Sequence, residues 1–166
     1  AIIAVYLTGG NLKWLINRPL RLKWLVLSAL FIQIIIFSGM PALNYIPSLY
    51  IGIIHVISYL LLLTFIALNV KVAGIAILGL GTLSNAVAII ANGGFMPSPL
   101  IAAGSISKNV IGISSESRLL FLSDILSSPD WLPLPSAFSI GDVLIVTGMF
   151  VYLLINSRKP RTTPDC

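Results

Sequence analysis

Charge is scarce in this sequence. Lys, Arg, Asp and Glu together make up 9% of its 166 residues, against about 25% in an ordinary soluble domain, too few to cover a water-facing surface. Cysteine occurs once, at the final position, which excludes an internal disulfide framework and a cysteine-based zinc site. Histidine also occurs once, as His55, and no cysteine or carboxylate stands near it at metal-ligand spacing. There is no nucleophile elbow, no H-E-x-x-H, no phosphate loop and no Ser–His pairing at recognisable spacing. Internal repeats and low-complexity tracts are absent too. What is abundant is apolar residue: 57% of the chain, with a mean hydropathy of +1.02. The formal charge of +5 sits in short basic clusters between long apolar runs. That layout belongs to a membrane protein and speaks against a nucleic-acid partner.

A helix that crosses a bilayer needs roughly 20 apolar residues to match a ~30 Å hydrocarbon core. No charged residue lies between Lys23 and Lys71, a stretch long enough for two spans, with Pro41, Asn44 and Pro47 marking a turn in its middle. The predicted spans are residues 24–40, 48–69, 72–91 and 139–156, the last stopped by Arg158, Lys159 and Pro160. Ala1–Thr8 is apolar but only ~12 Å long as a helix, and it has neither an initiator methionine nor the pattern of a signal peptide. A longer first span that has lost its start is preferred here to a half-span packed against neighbours. The expected architecture is therefore an all-α, single-domain membrane bundle of about five helices, the first short or truncated.

With five spans, Lys13, Arg18, Arg21, Lys23, Lys71, Arg158, Lys159 and Arg161 fall on one side, and only Lys108 and Arg118 on the other. The positive-inside rule then places the C-terminus in the cytoplasm and the N-terminus outside, with Trp14 and Trp24 at the headgroup level. The expected location is a bacterial cytoplasmic membrane. The external segment, residues 92–138, is the one region that is not a simple span. Within it Glu116–Leu126 reads as a short amphipathic helix capped by Ser115, followed by a stiff return through Pro129, Pro133 and Pro135.

Polar residues inside apolar spans are costly, so their positions are informative. At 3.6 residues per turn, Ser48, Gly52, His55, Tyr59 and Asn69 share one face of the third span. Gly74, Gly81, Asn85 and Asn92 share a face of the fourth, with Ala88 beside them. Such stripes suit close helix packing and interhelical hydrogen bonds, and are expected to face each other or the bundle interior. His55 has two readings, a neutral buried histidine bonded to a neighbouring helix or a proton-relay group or axial ligand to a haem or chlorophyll-type pigment. Asp124 and Asp142 form a tempting acid–base pair. Yet Ser139-Ile140-Gly141-Asp142 is also a capping box that opens the last span. Asn92-Gly93-Gly94, followed by Phe95-Met96-Pro97, reads either as a helix C-cap or as a turn whose backbone amides point at a ligand.

These strings carry a resemblance. Asn85, Ala91-Asn92-Gly93-Gly94 with Met96-Pro97, then Leu122 and Asp124, then Phe138-Ser139-Ile140-Gly141-Asp142-Val143 together resemble an uncharacterised bacterial family of small polytopic membrane proteins, a domain of unknown function. The basic loop before Trp24 is similar as well. The sequence departs from the pattern at Ser123, where glycine is expected, and in its short start. The resemblance implies a multi-pass protein of the inner membrane and brings no activity with it, so no catalytic residue, metal or cofactor is assigned.

Three functions follow as expectations. The first is a non-enzymatic accessory or structural subunit of a membrane assembly, its partners being membrane lipids and other membrane subunits. The second is a transporter or binding protein for a small polar ligand, and the third a lipid-modifying enzyme working through Asp124 and Asp142. For any of them, Asn85, Asn92, Gly93, Gly94, Asp124, Ser139 and Asp142 are expected to converge at the external membrane boundary. There the fourth span ends, the last begins, and loops carry function.

Overall fold

The computed structural model describes residues 2–38, 40–100, 106, 109–128 and 136–158. Its helices are α1 (Ile2–Leu7), α2 (Leu12–Ile16), α3 (Trp24–Phe37), α4 (Ser48–Asn69), α5 (Ile75–Ala91) and α6 (Ile140–Asn156). The expected spans thus appear as helices with trimmed ends, and α4 matches its predicted bounds. Among the described residues α4 alone is long and apolar enough to cross a membrane, and α3, α5 and α6 are shorter apolar helices. The five-span expectation is met only in its coarse form, a mostly helical chain. α1 has six residues, and Asn11 caps α2 by accepting the Lys13 amide at 2.9 Å. Positions 39, 108, 129, 130, 133, 135 and 159–161, which carry the end of one expected span, the proline-rich return and several loop charges, lie outside the described residues.

α3 to α6 pack as antiparallel neighbours, and the pairing can be followed residue by residue. α3 meets α4 through Gln33, whose Nε2 donates to Ser58 Oγ at 3.1 Å. At the far end of that pair, Asn69 clamps the loop before α3, accepting from the Arg21 amide at 2.8 Å and donating to the Arg21 carbonyl at 2.9 Å. α5 meets α6 through glycine. A Cβ on Gly81 would run into the Gly141 carbonyl and the Ile145 backbone, and one on Gly148 into the Leu78 backbone. Gly74 and Gly81 are seven residues apart, as are Gly141 and Gly148, so each pair lies two turns apart on one face. Small residues at that spacing let helix backbones approach closely. Asn156 closes this helix pair at its other end, donating to the Ala73 carbonyl at 3.1 Å.

The α4 and α5 stripes face the bundle interior, one of the two expected arrangements: Gly52, His55 and Asn69 of α4 and Gly81 and Asn85 of α5 are buried. Gly74 and Gly81 turn to α6, while α4 meets α5 where Gly79 rests on Ile66 and where Val56 and Tyr59 pack against the cluster of Ala88, Ile89 and Met96. Further along, Gly52 of α4 lies against Gly93 and Gly94. Gly94 sits at φ 97°, backbone that side chains rarely tolerate, and a Cβ there would strike the Gly52 backbone.

The predicted helix over Glu116–Leu126 does not form. The chain after α5 instead makes β1 (Met96–Ser98) and β2 (Val110–Gly112), paired in parallel, and β3 (Leu126–Ser127) and β4 (Ala137–Phe138), paired antiparallel. Between them lie a serine-rich turn, in which Ser114 bonds Ser117 Oγ, and a single 3-10 turn at Leu120–Leu122. Two causes are visible. Serine side chains compete for local backbone groups, and Asn92 captures both the amide and the carbonyl of Arg118 at 2.8 and 2.9 Å. Leu119 is left at φ 53°, which ends any helix passing through it.

The α5–α6 contact leads to a direct test. Gly148→Ala should lower stability by about 1–3 kcal/mol through overpacking, read as the thermal unfolding midpoint in detergent. Val146→Ala, on the opposite and 68% exposed face of α6, should change it little. Equal losses in both would show that glycine does not set the helix separation.

Candidate functional site

At the end where α5 stops and α6 begins, four of the anticipated residues meet. Ser139 caps α6, with its Oγ accepting from the Asp142 amide at 3.0 Å and its own amide donating to Asp142 Oδ2 at 2.8 Å. Both halves of the capping box are therefore present. Asn85 of α5 reaches across the glycine contact and donates from Nδ2 to Asp142 Oδ1 at 2.8 Å. The Ser139 hydroxyl stands 2.8 Å from Asn85 Oδ1 and 2.9 Å from Asp142 Oδ2. It has one hydrogen, so it donates to one of the two at a time. Ser139 and Asn85 are 0% and 2% exposed. Both Asp142 oxygens thus accept from the protein itself, which leaves this carboxylate better suited to structure than to acid–base chemistry.

Asp124 comes beside this cluster because its amide donates to the Pro97 carbonyl at 3.1 Å, just past the Asn92–Arg118 clamp. Burial, and secondarily the neighbouring Asp142 charge, push its carboxyl from the usual 3.8 up to about 7. The remaining anticipated residues do not join the cluster through any described contact. Asn92 is spent on Arg118 and on the Ala88 carbonyl. The Gly93 and Gly94 amides donate to the Ile90 and Ile89 carbonyls at 3.3 and 2.8 Å. They form a helix C-cap and are not aimed at a ligand, which corrects that half of the expectation.

His55 is 1% exposed. Its Nδ1 lies 2.8 Å from the Gly94 carbonyl oxygen, so Nδ1 carries the hydrogen and Nε2 is the bare nitrogen. The Phe37 and Tyr59 rings meet the imidazole edge-on at 5.8 and 5.4 Å. Nε2 is buried and has no hydrogen-bond partner among the described residues. The Gly94 contact is the one expected of a neutral buried histidine bonded to a neighbouring segment. No group of three or more metal-binding side chains occurs among the described residues.

The largest feature near the cluster was not anticipated. A cleft of about 590 Å³ runs between α3 and α6 over a floor of α4 and α5. Its walls are apolar, among them Leu27, Leu30, Phe65, Ile145 and Met149, with Gln33, Tyr59, Thr82 and Asp142 as its polar members towards one end and Lys23 at the other. Tyr59 stands within interaction range of Asn85, Asp124 and Asp142. Tyr59 shares the His55 face of α4, a signal legible in the sequence. The meeting of Gln33, Thr82 and Lys23 with it needs four helices to be assembled first.

A family model described as a family of unknown function, DUF5317, matches residues 17–154. The chain belongs to that family. The matched range takes in Arg18 to Lys23, α3 to α5, most of α6, the buried cluster and every residue lining the cleft. No curated protein and no solved structure matches the chain.

Two substitutions test the cluster. Asn85→Ala leaves the part-buried Asp142 Oδ1 without its donor and should cost about 1–3 kcal/mol, more than the ~1 kcal/mol expected for loss of an ordinary helix cap. Asp124 gives a pH signature. Its pKa is raised on folding, so its contribution to stability is complete below about pH 4 and is lost as pH rises through about 7. Asp124→Asn should flatten the thermal midpoint across that window. An unchanged slope would remove Asp124 as its source.

Proposed function

We propose that this chain is a multi-pass membrane protein that binds the apolar part of an amphiphilic molecule in the cleft between α3 and α6. The cleft carries the reading. Ligand sites are typically concave, mostly apolar and fitted with a few placed polar groups, and this cleft has that composition. The surroundings favour a bilayer as the source of the occupant. Outward residues are large and apolar, including Phe31 and Ile34 of α3, Leu80 of α5 and Val146 of α6, each more than half exposed. At 1.5 Å per residue, the 22-residue α4 is about 33 Å long and the 17-residue α5 and α6 about 25 Å. These lengths bracket a ~30 Å hydrocarbon core, with small mismatches that a bilayer accommodates by local thinning. In this reading the bundle lies in a bacterial cytoplasmic membrane, with its basic end, bearing Arg18, Arg21, Lys23 and Lys71, on the cytoplasmic side. Binding, and not catalysis, is the proposed role, because Asp142 is already engaged on both oxygens.

Native mass spectrometry of the protein released from mild detergent tests the proposal. The expected result is one lipid-sized adduct per chain, lost when Leu30→Trp and Ile145→Trp together fill the cleft. A wild-type protein that never carries an adduct, or an adduct unaffected by the filled cleft, would overturn it.

A further inference from the structure

The two ends of the cleft differ in charge, and the difference orients its occupant. At one end Lys23 lines the mouth. The loop carrying Arg18, Arg21 and Lys23 is held in place. Asn69, itself 4% exposed, grips Arg21 by both backbone groups. Leu22 turns the chain at φ 47° just before α3 starts. The acidic residues among those described, Glu116, Asp124 and Asp142, all belong to the opposite end of the bundle. There the Asp142 carboxylate lines the cleft and Asp124 stands beside it. The basic mouth therefore faces no described carboxylate, while the opposite end carries two.

We infer that the cleft takes one chain of an anionic membrane lipid, its acidic headgroup held by Lys23 and its tail directed towards Gln33 and Tyr59. This deepens the proposed binding role and rests on it. The reverse orientation would bring the negative head to two carboxylates and leave the basic mouth without a counterion. A cationic amphiphile would find the Asp142 oxygens already accepting from Asn85 and Ser139. The apolar walls suit the tail: α3 contributes Val26, Leu27 and Leu30 between Lys23 and Gln33, two positions separated by about 15 Å along the helix.

The test compares a fluorescent polyene fatty acid with the corresponding uncharged alcohol, titrated into the full chain in neutral detergent above pH 8. The acid is expected to bind more tightly than the alcohol. Lys23→Gln should weaken the acid about fivefold, the effect of one basic charge near an anionic head, and leave the alcohol unchanged. Lys13→Gln removes the same charge outside the cleft lining and should have little effect. Equal binding of acid and alcohol would overturn the headgroup assignment while leaving the binding role intact. Equal weakening by Lys13→Gln would reduce the preference to general surface charge and overturn it as well. No binding of either probe would bring down the binding role itself.

Discussion

Everything at the centre of this protein depends on how closely α5 and α6 approach. Glycine at 81, 141 and 148 removes the side chains that would hold the two backbones apart, and only at that separation can Asn85 reach Asp142 and Ser139 across the interface. Dispersion contacts between smooth backbones are individually weak. The polar clasp at one end and Asn156 at the other then fix register as well as distance. Packing alone would leave the pair free to slide by a turn.

The same device recurs through the bundle. Asn69 ties the loop before α3 to the end of α4, Gln33 joins α3 to Ser58 in mid-helix, and Asn92 fastens the segment after β2 to the end of α5. Amide side chains suit this work because one group donates and accepts at once, so a single residue can satisfy both backbone groups of its target. Apolar surface supplies most of the contact area and a few asparagines decide its geometry. His55 follows the rule on one side only: Nδ1 is bonded to Gly94, whereas Nε2 remains a buried acceptor without a partner among the described residues.

The cleft is what this scaffold leaves open. α3 pairs with α4, and α6 with α5, each through its own contacts, and the gap between α3 and α6 is where neither pair supplies a neighbour. The polar cluster and the basic loop lie at its two ends because antiparallel packing brings the start of α6 near the end of α3, and the loop before α3 near the end of α4. A charge gradient along an apolar trough follows from connectivity, and no single residue creates it.

Much of this was legible in the chain itself. The scarcity of charge, the uncharged run from Lys23 to Lys71 and the prolines within it marked out α3 and α4, and the capping box at Ser139 marked the start of α6, because helix length and capping are local properties. The convergence of Asn85, Asp124, Ser139 and Asp142 could be anticipated from loop connectivity, since the end of α5 and the start of α6 lie at one end of the bundle. Tertiary structure decided the rest. The amphipathic pattern over Glu116–Leu126 is real in sequence, but Asn92 and β1, both distant in the chain, claim its backbone and no helix forms. Gly74 and Gly81 could have served α4 as readily as α6, as Gly79 does. Their direction was decided by Gly141 and Gly148, whose matching seven-residue spacing has meaning only once two helices lie side by side. The cleft has no sequence signature at all, because it is bounded by four helices whose relative positions no local interaction specifies.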